Sequence, residues 1–460
     1  MSSSASPVSV GFAAVNLMEI LKQQRPTENP VEVRAVFFRQ DGRNSVFLVS
    51  DFMDFNLLVV DTLKKAVAKV LPPETGIHII TTHNHGGLTF KFFDLERYGE
   101  LAARCALAAM NACRPAMVRS GRGEITRPLT MVRRIYVPEV EGKLSCFFGI
   151  REDENRNGAP YIEAALREIR EGKALSYKTR CETNRPYQPF DPADPELDAL
   201  EFIAADDPKT ILGRIVRFAC HANCCNRSDY ISADYPGYLR QMLDARRPGL
   251  TVFFNGPCGE ITPAIPDKSP ESGKNLAGAL AELAEKVLRD AECRPLAKFE
   301  DHACAVDLPV RPEVLANHVE IPAEIPGPLP DRKRYLEILR LNGTLDFLRE
   351  KYTFGETELK ETVRISCALL KLDRLGFLFM PGETFNATGQ RIREAVSEPD
   401  LITVTEHDRT VMYLPPEEEF RQGGYEMTCS VTACGAEAVM REKLIGFIRN
   451  LNDPAGKKAI

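Results

Sequence analysis

Along this chain the apolar positions switch repeatedly between a period of two and a period near 3.6, the spacings of strands and helices. Val33 to Phe38 and Ser45 to Ser50 are apolar, β-branched runs joined through Gln40-Asp41-Gly42-Arg43-Asn44, whose Asp-Gly pair predicts a tight hairpin. From Asn56 to Val70 the apolar residues fall at helical spacing (Leu57, Val60, Leu63, Val67, Val70) until Pro72-Pro73 stops them. Gly76 to Thr81 reads as a buried strand and Glu96 to Cys113 as an alanine-rich helix.

Further helices are predicted over Tyr161 to Glu171, Tyr235 to Ala245, Asn275 to Asp290, Pro330 to Leu341, Asn386 to Ala395 and Ala436 to Leu451. Strands are predicted over Leu200 to Ala204, Leu212 to Ala219, Thr251 to Asn255, Ala303 to Val310, Glu361 to Leu370, Leu375 to Met380 and Leu401 to Thr405. Hairpins mix with strand-helix units, so the expected class is α+β, with layered mixed β-sheets flanked by helices. There is no internal repeat. With no Pro/Gly/Ser tract to mark a linker, residues 1–460 are expected to form a single domain, disordered only at 1–7 and 453–460.

Charge narrows the partners. A net charge of -6 with acids and bases interspersed offers no basic stripe, so nucleic acid is excluded as a partner. No run of about 18 apolar residues occurs, and the amino terminus lacks the basic and apolar regions of a signal peptide. The expected address is therefore cytoplasmic, without stable membrane insertion. The 13 cysteines are odd in number and lie in apolar segments, which fits reduced thiols. The dense patch Cys220-His221-Ala222-Asn223-Cys224-Cys225 has no Cys-x-x-Cys pair, so a structural thiolate-zinc site is not expected there.

The candidate chemistry sits at strand ends. His83 and His85, in Thr81-Thr82-His83-Asn84-His85-Gly86-Gly87, come just after the strand Gly76 to Thr81, and residues two apart in extended backbone share a face. That suits one metal ligand beside one acid or base. Satisfied polar histidines in a loop would look the same. His221 closes the strand Leu212 to Ala219, and Glu383 lies just beyond Leu375 to Met380 in Pro381-Gly382-Glu383-Thr384-Phe385. Each has a plainer reading, a hydrogen-bonded core histidine and a carboxylate near a helix start. Together they would supply three protein ligands to a catalytic zinc that keeps a further position for water. Tyr413 and Tyr425, twelve residues apart, can ligate a metal or donate to an oxyanion, although composition alone makes them packing residues.

The order of these segments resembles the neutral ceramidase family of zinc-dependent amidases. The family's Thr-His-Thr-His-Ser-Gly signature is similar to Thr82 through Gly87, and its Phe-Ala-x-His strand end to Phe218-Ala219-Cys220-His221. Its Gly-Asp-Val-Ser-Pro loop resembles Gly259-Glu260-Ile261-Thr262-Pro263, and its Pro-Gly-Glu motif resembles Pro381-Gly382-Glu383. Its closing tyrosine pattern resembles Tyr413 through Glu426, and its Asn-Arg-Ser segment resembles Asn155-Arg156-Asn157. The resemblance implies zinc held by His83, His221, Glu383 and Tyr413. It further implies His85 as general acid/base, Tyr425 as oxyanion donor and Arg156 as a substrate contact.

The activity so implied is that of a zinc-dependent hydrolase cleaving an amide (N-acyl) bond by metal-activated water. Its substrate is expected to be a soluble small molecule, because family members are commonly secreted or membrane-associated and carry a further carboxyl-terminal β-sandwich. This chain has no tryptophan, and ends some 35 residues after Tyr425. Three alternatives stay open: ester or lactone hydrolysis at the same site, true ceramidase activity, and a catalytically silent metal-binding homologue. The sequence leaves the oligomeric state unassigned.

Overall fold

The computed structural model describes residues 6–20, 25–86, 94–127, 129–145, 167, 193–225, 229–265, 267–353, 360–398 and 400–452. Arg156, the helix expected over 161–171 except Arg167, and the carboxyl-terminal stretch 453–460 lie outside these residues. Of the amino-terminal stretch expected to be disordered, only Ser6 and Pro7 are described.

The first half of the chain builds one large sheet and two small two-stranded ones. Its elements are β1 (Ser9–Asn16), β2 (Glu32–Gln40), β3 (Arg43–Ser50), α1 (Leu57–Ala68), β4 (Gly76–Thr81), α2 (Leu95–Asn111), β5 (Arg114–Glu124), β6 (Thr130–Val132), β7 (Arg134–Val137) and β8 (Gly142–Ser145). They continue with β9 (Glu196–Ala204), β10 (Ile211–Phe218), α3 (Asp234–Arg246), β11 (Leu250–Asn255), β12 (Ile261–Pro263), α4 (Pro270–Asp290) and β13 (Cys293–Pro295). Nine strands pair in the order β11-β10-β9-β5-β1-β2-β3-β4, with β13 also on β5, and the small sheets pair β6 with β12 and β7 with β8. Asp41 and Gly42, at φ 48° and 81°, make the two-residue turn between β2 and β3 that matches strand twist. Asn56 caps α1 by accepting from the Val59 amide, and Val59, Val60, Leu63 and Val67 form its buried face.

The second half adds β14 (Phe299–Pro309), α5 (Pro312–Ala316), α6 (Leu329–Thr353), β15 (Thr362–Leu372), β16 (Leu375–Phe379), β17 (Glu383–Thr384), α7 (Asn386–Val396) and β18 (Leu401–Val404). The chain then runs through β19 (Tyr413–Leu414), α8 (Glu417–Arg421), α9 (Tyr425–Thr428) and α10 (Ala436–Asn452). Here β14-β15-β16-β18 form a four-stranded sheet.

Alternation along the strands sorts the side chains into layers. Val36 and Phe38 of β2, Ile215 of β10, Phe254 of β11 and Leu370 and Phe379 of the smaller sheet share one apolar interior. Strands β1 and β5 pair over only two residues, so the large sheet creases there and β11 comes to lie against β2, β3 and β4. The outward faces pack under α1 and α2, under α3 and α4, and, for the smaller sheet, under α6, α7 and α10. Layered sheets flanked by helices are the α+β architecture expected from the sequence. Among the described residues no helix is long and apolar enough to cross a membrane.

Two long strands, several short ones and the end of one helix escape the periodicity. β1 is the centre of the large sheet, yet Gly11, Ala13 and Ala14 dilute its apolar signal. The glycine is needed: a Cβ at Gly11 would lie 2.1 Å from the Ala109 carbonyl of α2. β5, carrying Gly121 and Gly123, gives no clear strand pattern either. Helix α6 runs on from Leu341 to Thr353 through Asn342-Gly343, a sequence that ordinarily ends helices, because Leu345 and Leu348 extend the buried stripe of Leu341.

Candidate metal and catalytic site

Parallel strands deliver the site. β3 and β4, β10 and β11, and β16 and β18 each run parallel, so the carboxyl ends of β4, β10, β11, β16 and β18 bring their loops to one place. The loops are fastened to one another there. The His85 amide donates to the Ala222 carbonyl at 2.9 Å, the His221 amide to Ile261 at 3.1 Å, and the Glu383 amide to Met412 at 3.0 Å. Asn84, between the two histidines, is fully buried; its Nδ2 donates to the Asp51 and Ser232 carbonyls and its Oδ1 accepts from the Gly86 amide. Its job is to hold the loop. Left-handed backbone recurs around the cluster, at His83 (φ 56°), Gly382 (φ 53°), Glu406 (φ 59°) and Met412 (φ 58°). Three of these four are not glycine, and such strain persists only where the surroundings enforce it.

Four side-chain atoms converge. His83 Nε2 is 3.3 Å from Glu383 Oε2 and 3.2 Å from His85 Nε2, while His221 Nε2 is 3.1 Å from the same Glu383 oxygen. The opposite ring nitrogens are pinned: His83 Nδ1 donates to the Met53 carbonyl at 3.0 Å, and His221 Nδ1 to the carbonyls of Cys258 (2.8 Å) and Ile261 (2.9 Å). With the proton fixed on Nδ1, each Nε2 presents a lone pair, and these lone pairs face a carboxylate oxygen. Acceptors crowded against acceptors call for positive charge at their centre, whether a second proton on His83 or a bound metal ion. Donor atoms bound to a tetrahedral zinc at about 2.0 to 2.1 Å stand about 3.3 Å from one another, so the spacing fits such an ion.

The electrostatics agree. Burial by itself lowers the His83 imidazole, yet Glu406 and Glu383, on its two nitrogens, hold it well above its ordinary value. Burial, together with repulsion from His83 and His221, pushes His85 well below its own, and burial with the Arg133 guanidinium pushes His221 to about 3. Burial opposes ionisation of Glu383, but His83 and His221 keep its carboxyl well below the usual range. The pocket therefore gathers imidazoles around a carboxylate that stays ionised, a donor set suited to a metal.

Tyr413 lies directly across the β17–β19 pair from Glu383. Its hydroxyl accepts from Arg133 Nη2 at 2.7 Å, and its ring stands 5.7 Å from that of Tyr425. Arg133 is 2% exposed and also donates to the Gly259 carbonyl and to Glu426, which in turn takes Arg134 and Ser145. These bonds hold the Glu426 carboxyl at about 2 despite its burial. Sequence reasoning misses Arg133, whose only signal is a pair of arginines in a β-rich stretch that has no partner in sight. It also misses Glu406, whose Oε1 is 3.2 Å from His83 Nδ1. Thus His83, His85, His221 and Glu383 stand together, Tyr413 and Tyr425 adjoin them, and Arg156 lies outside the described residues.

No protein-family model and no curated protein matches this sequence. Solved structures do match in fold. The neutral ceramidase from Pseudomonas aeruginosa superposes with a TM-score of 0.65 at 16% identity, over 97% of this chain and 74% of that one. A ceramidase complexed with C2 gives 0.65 at 15% identity, over 97% and 75%. The chain has a neutral-ceramidase-like fold.

Proposed function

We propose that the protein is a zinc-dependent hydrolase of N-acyl amide bonds, with His83, His221, Glu383 and Tyr413 as metal ligands and His85 as the proton-transfer group. The observation that carries the reading is the convergence of three Nε2 atoms and one carboxylate oxygen, with neighbouring pairs 3.1 to 3.3 Å apart. Bound there, zinc supplies Lewis-acid polarisation of a carbonyl and acidifies water.

Distance alone does not separate ligand from base, since His85 stands as near His83 as Glu383 does. The outer ring atoms separate them. His83 and His221 have Nδ1 fixed by backbone carbonyls, the habit of metal-bound imidazoles. His85 is only half-buried, and among the described residues its ring makes one hydrogen-bonding contact, with the His83 ring. It is free to take a proton from attacking water at Nε2 and return it to the leaving nitrogen. Burial holds the Tyr413 phenol well above its ordinary value, a shift the Arg133 guanidinium partly offsets, and Arg133 with Tyr425 puts donors near the developing oxyanion. Arg156 is assigned to substrate contact on the resemblance alone.

A cytoplasmic setting fits the described cysteines, all of which are free thiols. The decisive experiment is metal analysis of the purified protein together with assay on a panel of short N-acyl amides and esters. Close to one zinc per chain, with amide turnover removed by a chelator and restored by zinc, is expected. Full turnover by rigorously metal-free protein would overturn the reading.

A further inference from the structure

Beside the converging imidazoles stands a cation with no counter-ion among the described residues. Lys268, half-buried on the loop just before α4, donates from Nζ to Asn223 Oδ1 at 2.9 Å and, among those residues, forms no ion pair. The carboxylate that acts on it from further away, Asp234, already accepts from the amides of Cys224, Cys225 and Tyr235. Burial, with help from the Arg133 guanidinium, pulls the Lys268 amine below its ordinary value. An ammonium placed so is short of an acceptor.

Asn223 has the matching deficit. An ammonium can only donate, and the Thr262 hydroxyl approaches the same Asn223 atom at 3.4 Å, so that atom is the amide oxygen and Nδ2 faces the other way. Asn223 is 6% exposed, its Oδ1 accepts from Lys268 and Thr262, and no hydrogen bond from its Nδ2 is seen among the described residues. An amide donor left open beside an ammonium can pair with an acceptor on a ligand.

Asn223 belongs to the loop that carries His221, and Lys268 is bonded to it. Asn223 is two residues beyond His221, and the intervening Ala222 accepts from the His85 amide. Ile261, next to Thr262, accepts from His221 Nδ1. The Arg133 guanidinium, which bonds Tyr413, also acts on Lys268, so a ligand lying against His85 and His221 can reach toward Asn223 and Lys268.

We propose that Lys268 and Asn223 form a subsite for a carboxylate on the substrate, positioned by Thr262 and set beside the bond to be cleaved. The inference rests on the hydrolase reading above and adds the substrate class: N-acyl compounds bearing a carboxylate. One ammonium and one amide donor match a single charge spread over two oxygens, whereas a phosphate dianion would call for further donors or a second cation.

The test uses N-acetyl ω-amino acids from glycine through β-alanine to γ-aminobutyrate, each paired with its isosteric terminal amide, on zinc-loaded full-length protein. The carboxylate member of the best-fitting pair is expected to show a kcat/KM about 10- to 100-fold above its amide, the range of a charge-assisted hydrogen bond. In Lys268→Met that ratio falls to near one, and in Lys268→Arg most of it returns. Zinc content and Tm of each variant show whether the loop has kept its shape. Equal losses on both members of a pair in Lys268→Met, with lowered Tm or zinc, would mean that the lysine only props the Asn223 loop, and would overturn the subsite.

Calorimetric binding of the same probes separates this inference from the reaction it rests on. Tighter carboxylate binding that Lys268→Met abolishes, without turnover of any probe, keeps the subsite and removes the amidase reading. Turnover with no carboxylate preference keeps the reaction and removes the subsite. Neither turnover nor preference removes both.

Discussion

Strand β4 carries two histidine clusters of nearly the same composition and different meaning. Past its carboxyl end, His83 and His85 meet His221 and Glu383; within it, His78 meets His407 and Asp301 between the two sheets. In the inner cluster donors and acceptors form a line. His407 Nδ1 donates to the Ser366 carbonyl, His407 Nε2 bonds His78 Nδ1 at 3.0 Å, and His78 Nε2 bonds Asp301 Oδ2 at 2.8 Å, with Phe47 stacked 4.4 Å from the His78 ring. Every ring nitrogen has a complement when His78 carries a proton on both nitrogens. In the outer cluster three ring nitrogens and a carboxylate oxygen point at one centre, a geometry that could hold a metal ion. Residue types do not distinguish a metal site from a structural one; the direction of the lone pairs does.

The largest test of that contrast removes an outer ring. His83→Ala or His221→Ala is expected to drop zinc from about one per chain to none and to abolish hydrolysis, while His78→Ala keeps its metal. Full zinc occupancy in both outer variants would dissolve the distinction. Next in size is His85→Ala, which should retain zinc and lose about 10²- to 10⁴-fold in kcat, the usual worth of proton transfer. Loss of zinc from it would make His85 a ligand.

The inner cluster should appear in stability rather than metal content. Burial, with the charges of His78 and Lys64, depresses His407 to about 4, below the value of about 6.5 in the unfolded chain. The unfolded state then binds the proton more readily, so stability is fully present above about pH 6.5 and falls as the pH drops toward about 4, by up to about 3 kcal/mol. Denaturant melts of wild type and His407→Gln across this window check it; parallel pH profiles would show that His407 contributes nothing to the slope. The smallest effect concerns the peptide bond joining the clusters. Glu406, the neighbour of His407, contacts His83 Nδ1. Glu406→Gln is expected to weaken zinc about 10- to 100-fold in a chelator competition, as loss of an outer carboxylate does at other metal sites. Unchanged affinity would leave the Met53 carbonyl as the group that orients the ring.

Much of this arrangement is legible in the sequence. Gly76–Thr81, the Asp41-Gly42 turn and the helix after Asn56 are specified within a few residues by alternation, turn chemistry and a cap, so local pattern suffices. His83, His221 and Glu383 are legible as strand-end residues, because an apolar strand that gives way to polar residues, glycine or proline announces a loop at a sheet edge. Arg133, Glu406 and Lys268 are not. Each matters through a partner far away in the chain: Arg133 through Tyr413 and Glu426, Glu406 through His83, Lys268 through Asn223.

The sequence by itself determined the elements, their apolar faces and the set of residues able to bind metal, since these depend on spacing over a few residues. Only the tertiary structure decided that β4 and β10, six strands apart in sheet order, bring their loops within one hydrogen bond at His85 and Ala222. It alone separated the converging imidazoles of His83, His85 and His221 from those of His78 and His407. The physical reason is that ligation and hydrogen bonding are directional at the scale of a single bond, and direction is set by sheet curvature, left-handed loop residues and packing, none of which is encoded in a local pattern.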